Sequence, residues 1–516
     1  MPLADLHLAL SRAPAPLPIW HADVDRDAWL AAARQHAQSG GRLVSMWSVE
    51  RRAEAGRLAA CAAFASPEGL LCVALPLAGA DERFPDLSEF FACATRMQRA
   101  MADLNGLHAE GARDERPWLD HGLWRGSLPP LAAGARPAGA PAGTLPRDYP
   151  FVRVEGDGVH EIPVGPVHAG IIEPGHFRFS VVGEKVLRLE ERLGYTHKGI
   201  ERRFTELDPL QAHRLAGRVS GDATVAYAWA YCMGLESACD ALVPERAQWL
   251  RALLLERERV ANHLGDLGAL GNDAALAFAL AQFSRLREDW QRLSREAFGH
   301  RLMMDAVVPG GVAHDLAQPQ RDALLRQCDE VERDARRLRQ ICDEHAGLLD
   351  RFMGTGRVTP ELAARLGLAG MAGRASGQAF DLRCDHGWQP YSRLGAKKAT
   401  QQGGDVAARV AVRFDELFES LRLIRELCRG LPSGALTGEV RVPSRAAQGM
   451  GWVEGWRGEV LVALHLGGDG RILRCHCHDP SWQNWPVLEH AVIGNIVPDF
   501  PLINKSFNLS YSGHDL

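Results

Sequence analysis

The sequence predicts an α+β protein. A small N-terminal α+β domain spans residues 1–125, a Pro/Gly/Ala-rich linker spans 126–150, and a large, mainly α domain spans 151–516, where a bundle of long helices carries peripheral β-hairpins. Three observations point there. The chain has 516 residues, beyond the size at which one hydrophobic core stops growing, so two domains are expected. Residues 126–150 hold too much proline and glycine for a helix or a central strand. After them, helical periodicity of the apolar residues runs through five segments, several longer than 20 residues.

In chain order, Asp25 to Gln38 reads as a helix, Arg42 to Glu50 and Leu70 to Leu77 as strands, and Ser88 to Leu104 as a second helix. Past the linker, Phe177 to Val182 and Val186 to Leu189 flank Gly183-Glu184-Lys185, the pattern of a β-hairpin. Long helices follow at Asp222 to Cys239, Pro244 to Leu270, Ala274 to Phe298, Pro319 to Phe352 and Val406 to Arg429, several entered through Asp, Asn or Pro. Glu459 to Leu466 and Arg471 to Cys477, separated by Gly-Gly-Asp-Gly, form a second hairpin.

Composition excludes several function classes. With 59 basic against 64 acidic residues and no long cationic run, the chain lacks the electrostatic footprint of a nucleic-acid binder. Its eleven cysteines are scattered and never spaced Cys-x-x-Cys, which argues against a disulfide framework or zinc ribbon and for the reducing cytoplasm. The N-terminus carries Asp5 and His7 in its apolar stretch and does not read as a signal peptide. No segment reaches the ~18 apolar residues of a membrane span, so a membrane role is expected to be peripheral. Neither a dinucleotide fingerprint nor a Walker lysine follows the glycine pairs at 310 and 403, and Gly-x-Ser-x-Gly is missing.

Titratable residues concentrate in a few places. His168, Glu173 and His176 lie on the loop before the first hairpin, where imidazoles can exchange protons near neutral pH or serve as ordinary hydrogen-bonded loop residues. His197 lies in the charged stretch Tyr195 to Arg202, which a helix start with surface charge pairs also explains. Arg218-Val-Ser220-Gly-Asp222-Ala223 opens a helix, with Asp222 read as its N-cap. Cys475-His476-Cys477-His478 resembles a metal cluster, yet alternation on a strand puts the thiols on one face and the imidazoles on the other.

Together these segments resemble one family: the large subunit of membrane-bound, energy-converting [NiFe]-hydrogenases of the formate hydrogenlyase type, and its relative, the quinone-site subunit of respiratory complex I. The match runs from about Gly165 to the terminus. It includes Glu-Pro-Gly-His176-Phe-Arg, Tyr-Thr-His197-Lys-Gly-Ile-Glu201, Glu258-Arg-Val-Ala-Asn262-His263-Leu-Gly-Asp266, Arg374-Ala-Ser-Gly377, Glu454-Gly-Trp-Arg457-Gly-Glu459 and Asp479-Pro-Ser481. Phe84-Pro-Asp-Leu and Met97-Gln-Arg99-Ala-Met-Ala-Asp103 resemble the neighbouring complex I subunit, fused here in front.

The resemblance also marks a departure. Where the hydrogenases hold their metals with two pairs of cysteines, this chain has Ser220, Ala223, Ser510 and Gly513, and it stops at Leu516 without the extension that a maturation protease removes. A nickel-iron centre needs soft thiolates, so none is expected here, and no cofactor is expected in this chain itself. What the resemblance implies is a subunit of a membrane-associated oxidoreductase complex whose vacated cavity serves quinone or charge coupling. His168, Asp222 and His176 would be its catalytic groups, and Glu173, His197, Arg218 and Asp515 its cofactor-facing lining. The position of the tyrosine that partners the quinone histidine in complex I holds Leu215. Implied partners are an iron-sulfur protein like the small hydrogenase subunit, which would own the clusters, and antiporter-like membrane subunits at the inner face of the cytoplasmic membrane; NAD would enter only through another subunit. The alternative is a non-catalytic scaffold that docks the iron-sulfur subunit onto the membrane subunits.

Overall fold

The computed structural model describes residues 3–51, 57–77, 83–124, 128–132, 135, 148–168, 170 and 172–516. Most of the expected linker lies outside these residues. The α+β prediction holds, with helices and several small sheets alternating along the chain.

Strands β1 (Ser11–Arg12) and β2 (Ile19–Asp23), helix α1 (Arg26–Gln38), then β3 (Arg42–Arg51), β4 (Arg57–Ser66) and β5 (Gly69–Pro76) form the first layer. The strand order is β1-β2-β5-β4-β3, and all neighbours are antiparallel except β2 and β5. The sequence reading missed β4 because its alanine run lacks the β-branched residues that mark strands. Burial on both faces overrides that preference. Ala59, Cys61 and Ala63 share a core with the helical part of the chain, while Ala60, Ala62 and Phe64 join the core around Trp29 and Met97.

Next come β6 (Arg83–Pro85), α2 (Ala94–Asn105) and β7 (His108–Glu110), β6 and β7 pairing in parallel. The helix expected from Ser88 starts only at Ala94. The Asp86 carboxylate accepts from Ser88 N at 2.8 Å and holds a local turn that competes with helix.

Strands β8 (Val159–Val164), β9 (His176–Val182) and β10 (Lys185–Arg192) make an antiparallel sheet in the order β10-β9-β8. The predicted hairpin is β9–β10; its turn is Gly183-Glu184, with Gly183 at φ +58°. Short helices α3 (Ile200–Phe204) and α4 (His213–Ala216) lead to the long helices α5 (Thr224–Ala238), α6 (Glu245–Asp273) and α7 (Ala277–Phe298). After β11 (Val307–Val308) and β12 (Gly311–Val312), the single helix expected over 319–352 divides into α8 (Gln318–Glu344) and α9 (Ala346–Phe352). His345 causes the break, because its Nδ1 accepts from Leu348 N at 3.1 Å and caps α9.

Helices α10 (Pro360–Leu366), α11 (Gly370–Ala375), α12 (Leu382–Asp385) and α13 (Tyr391–Leu394) precede the long α14 (Val406–Gly430). The chain then forms an antiparallel sheet of β13 (Ala447–Glu454), β14 (Glu459–Leu466) and β15 (Ile472–His478), and ends in α15 (Ser481–Ala491), α16 (Phe500–Phe507) and α17 (Tyr511–Asp515). Every residue of α5 is buried, and the helix lies directly on β13. Glycine permits that approach: a Cβ at Gly451 would sit 1.8 Å from Ala230 O, and one at Gly449 2.1 Å from Gly234 O. Among the described residues no helix is long and apolar enough to cross a membrane.

Candidate functional site

Two turns far apart in sequence meet at the amino end of α17. Ser510 caps that helix, its Oγ accepting from Gly513 N at 2.9 Å, and its own N–H donates to Ser481 Oγ at 2.9 Å. The Ser220 hydroxyl lies 3.0 Å from Ser510 Oγ and donates to Asp222 Oδ1 at 2.7 Å. Both serines are buried. Gly513 has no room for a side chain, since a Cβ there would sit 2.7 Å from Asp479 Oδ2. Ala223 closes the first turn through its N–H to Ser220 O. These four residues offer hydroxyl, methyl and hydrogen, a donor set that does not fit a thiolate-held nickel-iron centre. Among the described residues no three His, Cys, Asp or Glu side chains gather into a metal-holding group.

Charged groups surround this junction. Arg457, in the β13–β14 turn, grips both Asp222 oxygens, Nη1 to Oδ1 at 3.0 Å and Nη2 to Oδ2. Burial works against the Asp222 charge, yet Arg457 and the Ser220 hydroxyl hold its carboxyl below the ordinary carboxylate range. The turn's backbone is pinned as well: Asp222 O accepts from Asn262 Nδ2 at 2.7 Å and from Trp456 Nε1 at 2.9 Å.

Asp222 does not cap α5, contrary to the sequence reading. That oxygen comes from Glu258 on α6, whose carboxyl accepts from Val225 N at 2.6 Å and Ala226 N at 3.2 Å. A local motif search looks at residues adjoining a helix start, so a cap donated from another helix escapes it. Burial pushes the Glu258 carboxyl up to about 8; the two N–H bonds oppose that rise and the Asp222 charge adds to it. Glu258 and Asn262 are four residues apart on one helix face, the spacing that would have flagged them.

The loop between β8 and β9 reaches the site through Glu173, whose Oε2 accepts from Ser512 N at 3.1 Å. His168 is half-buried beside Phe177, ring centroids 5.7 Å apart; among the described residues its Nε2 has no hydrogen-bond partner, and burial lowers its pKa. His176 sits at the start of β9, its Nδ1 3.4 Å from Gly165 O, and Arg178 Nε donates to its Nε2 at 3.4 Å. His197 Nδ1 meets Asp515 O at 2.8 Å, and Asp515 Oδ2 accepts from Thr196 N at 3.0 Å and Oγ1 at 2.7 Å. Glu173, His197 and Asp515 therefore converge on α17, next to Ser510 and Gly513.

Arg218 leaves the cluster. Its long stem carries the guanidinium to the surface, where it pairs with Asp305 at 2.6 and 2.8 Å. On β15, His476 bonds Glu201 at 2.7 Å and Ser45 Oγ at 2.8 Å, and His478 bonds Gln483 at 3.0 Å, while Cys475 and Cys477 join the hydrophobic core.

Comparison with known proteins gives a consistent result. The model of the respiratory-chain NADH dehydrogenase 49 kDa subunit matches residues 270–447, and that of the 30 kDa subunit matches residues 22–134. Formate hydrogenlyase subunit 5 of Escherichia coli strain K12 is 30% identical over 488 residues, 93% of this chain and 85% of that protein. The carbon monoxide-induced hydrogenase of Rhodospirillum rubrum is 32% identical over 350 residues, 68% of this chain and 97% of the other. Among solved structures, a chain of the archaeal membrane-bound sulfane sulfur reductase shares the fold with a TM-score of 0.66 at 24% identity, covering 70% of this chain and 99% of its own.

Proposed function

Because the chain belongs to the large-subunit family shared by membrane-bound hydrogenases and respiratory NADH dehydrogenases, with a 30 kDa-type unit fused in front, we propose that it works in a membrane-associated oxidoreductase complex as a charge-coupling subunit without a nickel-iron site. The observation that carries this reading is the Ser220–Ser510 contact beside the Asp222–Arg457 pair. Hydroxyls, a carboxylate and a guanidinium hold and orient protons and negative charge; they do not bind low-valent metal. Asp222 and its partners would sense charge arriving on a neighbouring redox group, which an iron-sulfur partner subunit would own. Membrane subunits would anchor the assembly at the inner face of the cytoplasmic membrane, and NAD, if used, would bind a different subunit.

A second reading has its own observation. His168 presents an Nε2 without a partner among the described residues, on a loop whose Val167 and Ile172 are exposed apolar residues, a combination suited to a quinone headgroup with an apolar ring and carbonyl acceptors. The scaffold reading requires neither group.

Electron transfer by the purified intact complex, from a reduced low-potential donor to a soluble quinone, separates the three when native chain, His168→Ala and Asp222→Ala are compared. Loss in Asp222→Ala alone supports charge coupling, loss in both supports a quinone site, and no loss in either assembled variant leaves the scaffold. Nickel bound stoichiometrically to the chain would overturn the metal-free reading.

A further inference from the structure

The facing sides of α6 and α14 carry charge where a helix pair ordinarily buries apolar residues. Glu256, Arg259, His263 and Asp266 recur at helical spacing on α6, and Arg413 and Glu416 face them from α14. From His263 a chain of contacts crosses the core. Its Nε2 lies 2.9 Å from Glu416 Oε2; Glu416 Oε1 accepts from Arg374 Nε at 2.8 Å; Arg374 Nη1 donates to Glu454 Oε1 at 2.8 Å. All four side chains are buried. The far end opens onto the first layer, because Glu454 pairs in register with Glu459, which Arg42 of β3 grips with both terminal nitrogens.

An ionised carboxylate only accepts hydrogen bonds, so Glu416 requires the proton of neutral His263 to sit on Nε2. Nδ1 is then a bare lone pair, and among the described residues it has no hydrogen-bond partner. At the other end the Glu454 carboxyl must share Arg374 with Glu416.

We propose that His263, Glu416, Arg374 and Glu454 form a proton-exchange relay in which a proton bound at His263 Nδ1 is matched by one released from the Glu454 carboxyl. The inference rests on the charge-coupling reading above. No electrons move and the net charge is constant: imidazole becomes imidazolium as the carboxylic acid becomes carboxylate, so the proton gained at His263 balances the one lost from Glu454. Arg374 links the two events. Imidazolium neutralises more of Glu416, so more of the guanidinium charge is left for Glu454.

The surroundings agree. Burial drives the Glu454 carboxyl up to about 7 against the pull of Arg374, with Asp381 and Glu459 adding to the rise and Arg259 opposing it. Burial likewise lowers His263, with Glu416 opposing and Arg259 and Arg413 assisting; Asp266 lies one turn away on the same helix. Glu416 stays ionised because Arg374 and His263 outweigh its burial.

The test is an infrared pH titration of the full chain, with ¹³C-glutamate labelling to separate glutamic from aspartic acid bands. A protonated glutamic acid band should bleach near pH 7 and vanish in Glu454→Gln. In His263→Lys the midpoint of that band should move downward by about half a unit or more, because a cation at this position neutralises Glu416 and leaves more of the Arg374 charge for Glu454. Near-UV circular dichroism checks that each variant is folded; should Glu454→Gln fail to fold, the His263→Lys shift measured in a Glu258→Gln background, which removes the other glutamic acid titrating nearby, still decides. No band lost in folded Glu454→Gln, or an unmoved midpoint in folded His263→Lys, overturns the relay. Either result leaves the charge-coupling reading to its own electron-transfer test, which reads Asp222.

Discussion

Ser220 and Ser510, 290 residues apart, meet with their hydroxyl oxygens 3.0 Å apart at a buried junction between the turn before α5 and the residue that caps α17. The contact joins two segments that the hydrogenase resemblance links through metal. Here hydrogen bonds join them, and their strengths can be measured.

Replacing Gly513 with alanine should destabilise the chain by about 1–3 kcal/mol, the usual cost of overpacking. Its Cβ would meet Asp479 Oδ2 at 2.7 Å and Ser510 Oγ at 2.9 Å, with the helix cap between them. Chemical denaturation monitored by tryptophan fluorescence measures the effect, and a neutral result would refute the tight junction.

Arg457→Met should cost stability at neutral pH by about 1 kcal/mol or more, a value discounted from fully buried pairs because Asp222 is partly exposed. The Asp222 carboxyl is depressed in the folded chain, so the pair stabilises above the unfolded value near 3.8 and its contribution fades as pH falls through the folded value. The deficit of the variant should therefore shrink in acid. Combining it with Asp222→Asn should recover part of the loss in a double-mutant cycle.

Glu258 has the opposite sign. Its folded value, about 8, lies above the ordinary 4.5, so its contribution is complete below 4.5 and is lost as pH rises towards 8. Glu258→Gln keeps an acceptor for the α5 cap and removes the titration. Native stability should thus fall relative to the variant by about 1.4 kcal/mol per pH unit at most within that window. Parallel stability profiles across it would show that Glu258 does not titrate there.

Arg218→Ala should change stability by less than about 1 kcal/mol, because the Arg218–Asp305 pair is solvent-exposed. Its electron-transfer rate in an assembled complex should match the native one, in contrast to Asp222→Ala. A loss as large as that of Asp222→Ala would place Arg218 in the working site.

Much of the frame is visible in local patterns. Apolar spacing marks α5, α6, α7 and α14, and a glycine turn marks β9–β10, because each pattern depends on residues within a few positions of one another. Where burial outweighs local preference the reading fails: β4 is a strand made largely of alanines, and β13, with its glycines at 449 and 451, exists to receive α5.

At the candidate site the division follows the same physics. Residue identity settles donor chemistry, so Ser220, Ala223, Ser510 and Gly513, the positions that the family resemblance marks, offer no thiolate whatever the fold. Which groups take over is a matter of packing. The Arg457 grip on Asp222, the Glu258 cap on α5 and the departure of Arg218 to the surface join residues 33 to 235 positions apart. Contacts at such separations leave no periodic trace in a chain, because they arise only when helices and turns with their own local codes are pressed into one core.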